Sequence, residues 1–185
     1  AGIATTGVDL SAEHVRMARE AGVECTQASL FELPFEPHQF SAGWSMSTLL
    51  HVADDRFHDA MASISSVLQP GAPLAIGLWG GIDQEGVVDF DTIKPPRFFS
   101  LRSHDRIRRM LGEHGTIEQF DTWVHTFGTW EYQFAVLRTA GPDTLSFDRA
   151  AGVVRRTPPA DHPADRPHTI RLAISGADGW SERTL

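Results

Sequence analysis

The sequence predicts an α/β domain in which helices cover both faces of a mostly parallel sheet. Strand-like and helical segments alternate along the first 111 residues, which is typical of a parallel sheet. Residues 73–79 (PLAIGLW) are apolar throughout, as in a strand buried on both faces. Residues 116–125 and 129–139 are strand-like on either side of a short turn at Gly128, which predicts an antiparallel hairpin at one edge of the sheet.

The first 47 residues predict three strands and one helix. Residues 3–9 form the first strand, and Ser11 caps a helix that Gly22 ends. Residues 23–29 and 40–47 are the next two strand candidates, separated by a proline-rich connection.

The next segments add two helices around the apolar strand. A helix with an apolar stripe begins at Asp54 or Asp55 and ends at the "QPGAP" turn. Residues 80–102 form a long polar connection after the apolar strand. Ser103 then caps a third helix, which Gly115 is expected to end.

Composition bounds the possible partners and the compartment. A chain of 185 residues with 41% hydrophobic residues can form one domain with a sizeable core. The formal net charge of −8 argues against a nucleic acid partner, and no apolar run approaches the roughly 20 residues that cross a bilayer. There is no signal peptide pattern, and Cys25, the one cysteine, fits a reducing compartment. We therefore expect a cytoplasmic protein without a membrane partner.

The chain is predicted to have three parts. Residues 1–139 form the α/β core. Residues 140–167 are rich in Pro, Asp and Arg and are typical of a flexible linker. Residues 168–185 regain an apolar run and a glycine turn, so they are expected to supply a strand, a turn and a helix start that complete the core.

Four short segments in the first part resemble a known family. They are TGVDLS at 6–11, LPF at 33–35, LLHV at 49–52 and VLQPGAPLAI at 67–76. In order and spacing they resemble the class I S-adenosylmethionine-dependent methyltransferases, and residues 97–111 (RFFSLRSHDRIRRML) also resemble a segment of bacterial members that act on small molecules. The resemblance implies a Rossmann-like, doubly wound sheet of seven strands, S-adenosyl-L-methionine as the cofactor, and methyl transfer to a small-molecule acceptor.

The glycine loop of that family is missing from its usual place near the start. Read into the beginning of the chain, the end gives TIRLAISGADGWSERTL followed by AGIATTGVDLS: a strand, a glycine turn, a helix, a second strand and an acid. Asp9 then follows Gly176 by 18 positions, close to the roughly 20 expected between a nucleotide-binding loop and its ribose acid. This spacing predicts a circular permutation. A truncated methyltransferase with an unrelated tail and strand exchange between two chains are the alternatives.

Asp9 is the first cofactor candidate, because a carboxylate at a strand end can accept hydrogen bonds from both ribose hydroxyls. The resemblance implies the remaining positions, three of which depart from the family pattern. Ser29 stands where the family often has an acid, and Ser175 and Ala177 stand where glycines are usual. The complete cofactor-binding prediction is Asp9, Leu10, Ser29, Leu30, Ser45, Ser175, Gly176, Ala177 and Gly179.

His51 is the candidate catalytic residue, as a general base toward an acidic hydroxyl or amine. Methyl transfer is an in-line displacement that depends mostly on positioning and needs no further acid–base signature. No metal site is predicted, since His162 and His168 lack a third ligand at suitable spacing. Four arginines around the third helix are interpreted as a solvated face: Arg102, Arg106, Arg108 and Arg109.

Two other functions stay open at this point. An acid after the second strand of a Rossmann unit also suits a nicotinamide cofactor. Against an oxidoreductase, Lys94 is the only lysine and Tyr132 the only tyrosine, so there is no Tyr-x-x-x-Lys pair. The substitutions at the glycine turn and at Ser29 leave room for a non-catalytic protein with the same fold.

Overall fold

The computed structural model describes six stretches of the chain. They are residues 3–89, 91–124, 129–140, 145–148, 153–156 and 170–175. For the last three stretches it is the backbone that is described.

The described stretches contain eleven strands, three α-helices and one 3₁₀ turn. The strands are β1 Ala4–Asp9, β2 Glu24–Gln27, β3 Ala42–Met46, β4 Pro73–Gly80, β5 Gln84–Val87, β6 Phe98–Leu101, β7 Gly115–Val124, β8 Glu131–Thr139, β9 Leu145–Asp148, β10 Val153–Arg156 and β11 Ile170–Ser175. The helices are α1 Ala12–Glu20, α2 Asp54–Val67 and α3 His104–Gly112, and the 3₁₀ turn is Leu49–His51.

Seven of the strands form one mixed sheet in the order β2-β1-β11-β3-β4-β8-β7. The pairings from β2 to β4 are parallel, and β8 pairs antiparallel with both β4 and β7. The predicted closing hairpin is therefore present. Strand β11 lies between β1 and β3, with Ile174 in register with Val8 on one side and Ser45 on the other.

The helices begin where capping residues and apolar stripes favour them. Ser11 Oγ accepts a hydrogen bond from the His14 amide at 3.4 Å at the start of α1. Ser103 caps α3 in the same way. Helix α2 has no side-chain cap, but it carries two acids in its first turn and buries an apolar stripe that includes Phe57 and Ile64.

The hydrophobic core lies between the central strands and these helices. Leu74, Ile76 and Leu78 of β4 are at most 1% exposed. They belong to the same buried cluster as Met61 of α2 and Leu111 of α3. Among the described helices, none is long and apolar enough to cross a membrane.

Two expectations differ from the structure. Residues 80–102 are not only a connection, because β5 and β6 pair there as an antiparallel hairpin. Gly115 begins β7 instead of ending α3; a Cβ there would lie 3.0 Å from the Arg138 carbonyl carbon, so the glycine permits close strand approach. The linker over residues 140–167 stays a prediction, and the described part of that segment is Ala140 and the antiparallel pair β9–β10.

Candidate functional site at the carboxyl edge of the sheet

The parallel strands β2, β1, β11, β3 and β4 direct their carboxyl ends to one edge of the sheet. In open α/β sheets ligands bind in the crevice at this edge. Asp9 ends β1, Ser29 follows β2 by two residues, Ser175 ends β11, and Met46 ends β3. The topology therefore brings the predicted residues from four separate chain segments to the same edge.

Asp9 is buried, with 6% of its surface exposed. Its Oδ1 accepts a hydrogen bond of 2.7 Å from the Ser11 amide, and its Oδ2 lies 3.4 Å from Nδ1 of His14. Its backbone carbonyl also accepts from the Ala28 amide at 3.1 Å. The carboxylate is thus fixed at the strand end, and sequence reasoning missed His14 beside it. The sequence could have indicated this contact, because His14 lies on the first turn of the helix that Ser11 caps.

Residues 27–32 form the turn beside Asp9. Ser29 Oγ accepts from the Phe31 amide at 3.2 Å, and the Ser29 carbonyl accepts from the Glu32 amide at 3.0 Å. Leu30 is half-buried and packs against the core. Leu10 is 73% exposed and sits directly after Asp9, so it offers an apolar surface at the edge.

Strand β3 ends in a tightly packed turn. Ser45 is 1% exposed and pairs with Ile76 and Ile174 in the neighbouring strands. Ser47 adopts φ +51°, and its amide donates to the Gly77 carbonyl at 2.7 Å. The side chain of Ser45 is thus enclosed within the described part of the sheet, and its contact with the cofactor stays a prediction.

Tyr132 of β8 is a further residue at this edge, opposite Trp79 near the end of β4. Its hydroxyl contacts Met46 Sδ, and its ring lies over Gly77, where a Cβ would come within 3.0 Å of Tyr132 Cζ. Burial raises the pKa of the Tyr132 hydroxyl, and a hydrogen bond with Ser47 opposes the change. The phenol therefore stays protonated at neutral pH beside the end of β3.

His51 lies in the 3₁₀ turn that follows β3. Its Nδ1 is 2.7 Å from the Phe98 carbonyl, so this nitrogen carries the proton and donates. Its Nε2 is buried and has no hydrogen-bond partner among the described residues. The Phe99 ring packs edge-on at 4.9 Å. In the neutral imidazole this arrangement leaves the lone pair on Nε2, which is enclosed in this structure, and the role of His51 as a general base stays a prediction.

Arg102 holds that turn in position. It is 0% exposed and donates to the carbonyls of Leu49 at 3.1 Å and Val52 at 2.6 Å. Its Nε also pairs with Asp54 Oδ1 at 2.7 Å, and the guanidinium stacks on Phe57 at 4.6 Å. Burial lowers the pKa of Arg102, and the charge of Asp54 opposes the change. The expectation of a solvated arginine face was wrong for Arg102, because the carbonyls after β3 need buried donors.

Most of the predicted glycine turn lies outside the residues that the structure describes. Ser175 is the last residue of β11 and is in register with Met46. Gly176, Ala177 and Gly179 lie outside the described residues. Their assignment stays a prediction.

A sheet of this order, parallel at its centre and bordered by an acid at the end of β1, defines a Rossmann-like α/β fold. Residues 1–76 match the family model described as a methyltransferase domain. No curated protein is significantly similar in sequence.

Solved structures with the same fold include methyltransferases. The 1,6-didemethyltoxoflavin-N1-methyltransferase of Burkholderia thailandensis, solved with S-adenosylhomocysteine, is 18% identical with a TM-score of 0.59. The match covers 74% of this chain and 61% of that one, so the chain spans less than two thirds of its length. A S-adenosylmethionine-dependent methyltransferase of Methanosarcina mazei is 16% identical with a TM-score of 0.62, over 74% of this chain and 83% of that one.

A third neighbour has a different printed activity. The [4+2]-cyclase SpnF is 18% identical with a TM-score of 0.58, over 75% of this chain and 67% of that one. At these identities the likenesses establish the fold and leave the reaction to be argued from the site.

Proposed function

We propose that the protein transfers a methyl group from S-adenosyl-L-methionine to a small-molecule acceptor. The observation that carries the proposal is Asp9, a buried acid at the carboxyl end of β1, within the segment that matches the methyltransferase model. The neighbour from Burkholderia thailandensis, solved with S-adenosylhomocysteine and its small-molecule ligand, supports the choice of cofactor and acceptor class.

The residues at the edge fit such a cofactor. The Asp9 carboxylate is already fixed by the Ser11 amide, so little ordering is needed when it accepts from ribose hydroxyls. Leu10 offers an apolar flank for the adenine, and the Ser29 hydroxyl can accept from its amine. When bound, the cofactor supplies a methyl group already activated on a sulfonium, so the protein mainly orients the acceptor and excludes water.

His51 is proposed to take the proton from the acceptor nucleophile at Nε2, which is buried in this structure and has to become accessible when the acceptor binds. Its Nδ1 proton is bound by the Phe98 carbonyl, which fixes the tautomer and orients the ring. Arg102 acts as a positioning residue, because it binds the carbonyls on both sides of the turn.

The hairpin within residues 80–102 is proposed to cover an apolar acceptor pocket. Ile93 and Phe98 are 41% and 37% exposed, and Asp91 ties the loop together by binding the Arg97 guanidinium and amide. Trypsin cleavage after Arg97 tests this. Cleavage should slow when cofactor and a confirmed acceptor are both present, and an unchanged rate would remove the segment as a cover.

We further propose a circular permutation, supported by the central position of β11 between β1 and β3. Deleting residues 168–185 should abolish cofactor binding and cooperative unfolding, since the sheet would lose its central strand. A rearranged chain that starts near Phe147, joins Leu185 to Ala1 and ends near Thr144 should fold and bind at least as well. Normal binding by the deletion variant would contradict the permutation.

Calorimetric titration tests the function itself. We expect binding of S-adenosylmethionine or S-adenosylhomocysteine and none of NAD. Binding of NAD alone would favour the oxidoreductase. Cofactor binding without methyl transfer to any member of a small-molecule panel would favour a non-catalytic protein or another reaction, as the cyclase neighbour illustrates for this fold.

A further inference from the structure

Three side chains of types that can bind a metal ion lie close together between α2 and the end of α3. These elements are other than those that carry Asp9 and His51. His58 lies on α2, while Glu113 and His114 follow α3. Each offers one ligand atom, and these atoms all lie within 4.8 Å of one another. The two imidazole rings are 4.7 Å apart between centroids, with an angle of 42° between their planes.

His114 provides an independent indication of a ligand. It is 8% exposed, and its Nε2 is buried without a hydrogen-bond partner in the described part of the chain. Its backbone is fixed on both sides, since its amide donates to Leu111 and its carbonyl accepts from Ala140, each at 2.9 Å. A buried polar atom without a partner is costly, so a partner from outside the described residues is expected at this nitrogen.

The chemistry of the set selects the ligand. Two imidazoles and one carboxylate form the donor set of zinc sites that keep a fourth position open. Two imidazoles on one tetrahedral zinc, with Zn–N bonds of about 2.0–2.1 Å, place their ring centroids about 5 Å apart. The observed ring spacing is close to this value. His58 and Glu113 are exposed and free to adjust, while His114 is fixed.

We propose that His58, Glu113 and His114 form a binding site for a zinc-type divalent cation, with one coordination position left for water or another ligand. The sequence did not reveal it, because His58 and His114 are far apart in the chain. The site stands apart from the proposed methyl transfer, because none of its three ligands belongs to the carboxyl-edge cluster.

Titration of the untagged, metal-free chain with zinc chloride tests the proposal. One Zn²⁺ should bind per chain, and cobalt chloride should give a visible absorption band of a tetrahedral or five-coordinate site. His58→Asn and Glu113→Gln should each weaken binding by at least about 100-fold, more than is typical for loss of an outer-shell partner. Zinc should raise the melting temperature of the wild-type chain and of neither variant.

Two matched substitutions serve as controls. His38→Asn changes an exposed histidine whose φ of +59° suits asparagine, and Glu36→Gln changes an exposed glutamate nearby. Both should bind zinc like the wild type. Equal zinc affinity in all four variants, or no binding by the wild type, would overturn the proposal. S-adenosylhomocysteine affinity should be unchanged in His58→Asn, which separates a failure here from a failure of the proposed methyl transfer.

Discussion

Replacing Asp9 by asparagine isolates the contribution of one carboxylate oxygen to cofactor binding. Asparagine keeps an Oδ1 that can accept the 2.7 Å hydrogen bond from the Ser11 amide, so the strand end and the start of α1 should keep their geometry. The other oxygen, which faces His14 at 3.4 Å, becomes an amide group that can no longer accept. The substitution therefore removes one of the two acceptors proposed for the ribose hydroxyls, together with the negative charge, while leaving the fold in place.

The expected magnitude follows from that loss. A hydrogen bond to a charged group contributes about 1.5–3 kcal/mol, which corresponds to a Kd about 10- to 150-fold weaker for S-adenosylhomocysteine. Calorimetry measures the Kd, and urea unfolding should give a free energy within about 1 kcal/mol of wild type. Asp55→Asn, at an exposed position on α2, is the control and should bind normally. An Asp9→Asn variant that folds and binds like wild type would refute the assigned role of Asp9.

The other predictions concern stability. Arg102→Met should lower the free energy of unfolding by about 3–5 kcal/mol in urea titrations, because buried carbonyls lose their donors. The control Arg109→Met, on the exposed face of α3, should lower it by less than about 1 kcal/mol, and equal effects would contradict the anchoring role of Arg102. The guanidinium of Arg97, bound to Asp91, holds the pKa of that carboxyl well below its usual 3.8, so the contribution of Asp91 to stability is present above about pH 4 and is lost as the pH falls further. The stability difference between wild type and Asp91→Asn should therefore shrink below pH 4. A difference that does not depend on pH would argue against this ion pair. Gly77→Ala should cost about 1–3 kcal/mol by overpacking against Tyr132, and a melting temperature equal to wild type would mean that the ring moves freely.

Local patterns in the sequence were sufficient for most elements of the first 139 residues. The caps at Ser11 and Ser103 begin helices in the structure, and the apolar run at 73–79 is the buried strand β4. The hairpin within residues 80–102 was missed because its strands have four residues each and lack a clear alternation. Gly115 was misread because a glycine after a helix also suits close packing of strands, and local sequence does not distinguish the two.

The sequence by itself determined that Asp9 ends a strand and precedes a capped helix, because both features depend on neighbouring residues. Only the tertiary structure decided what surrounds these residues. The pairing of His51 with the Phe98 carbonyl, the burial of Arg102 under the 49–52 turn, and the approach of His58 to His114 all join distant segments. Such contacts depend on strand order and helix packing, which bring residues together regardless of their spacing in the chain. A charged residue therefore carries little local evidence of its own burial, and Arg102 has the same local sequence signal as its solvated neighbour Arg109.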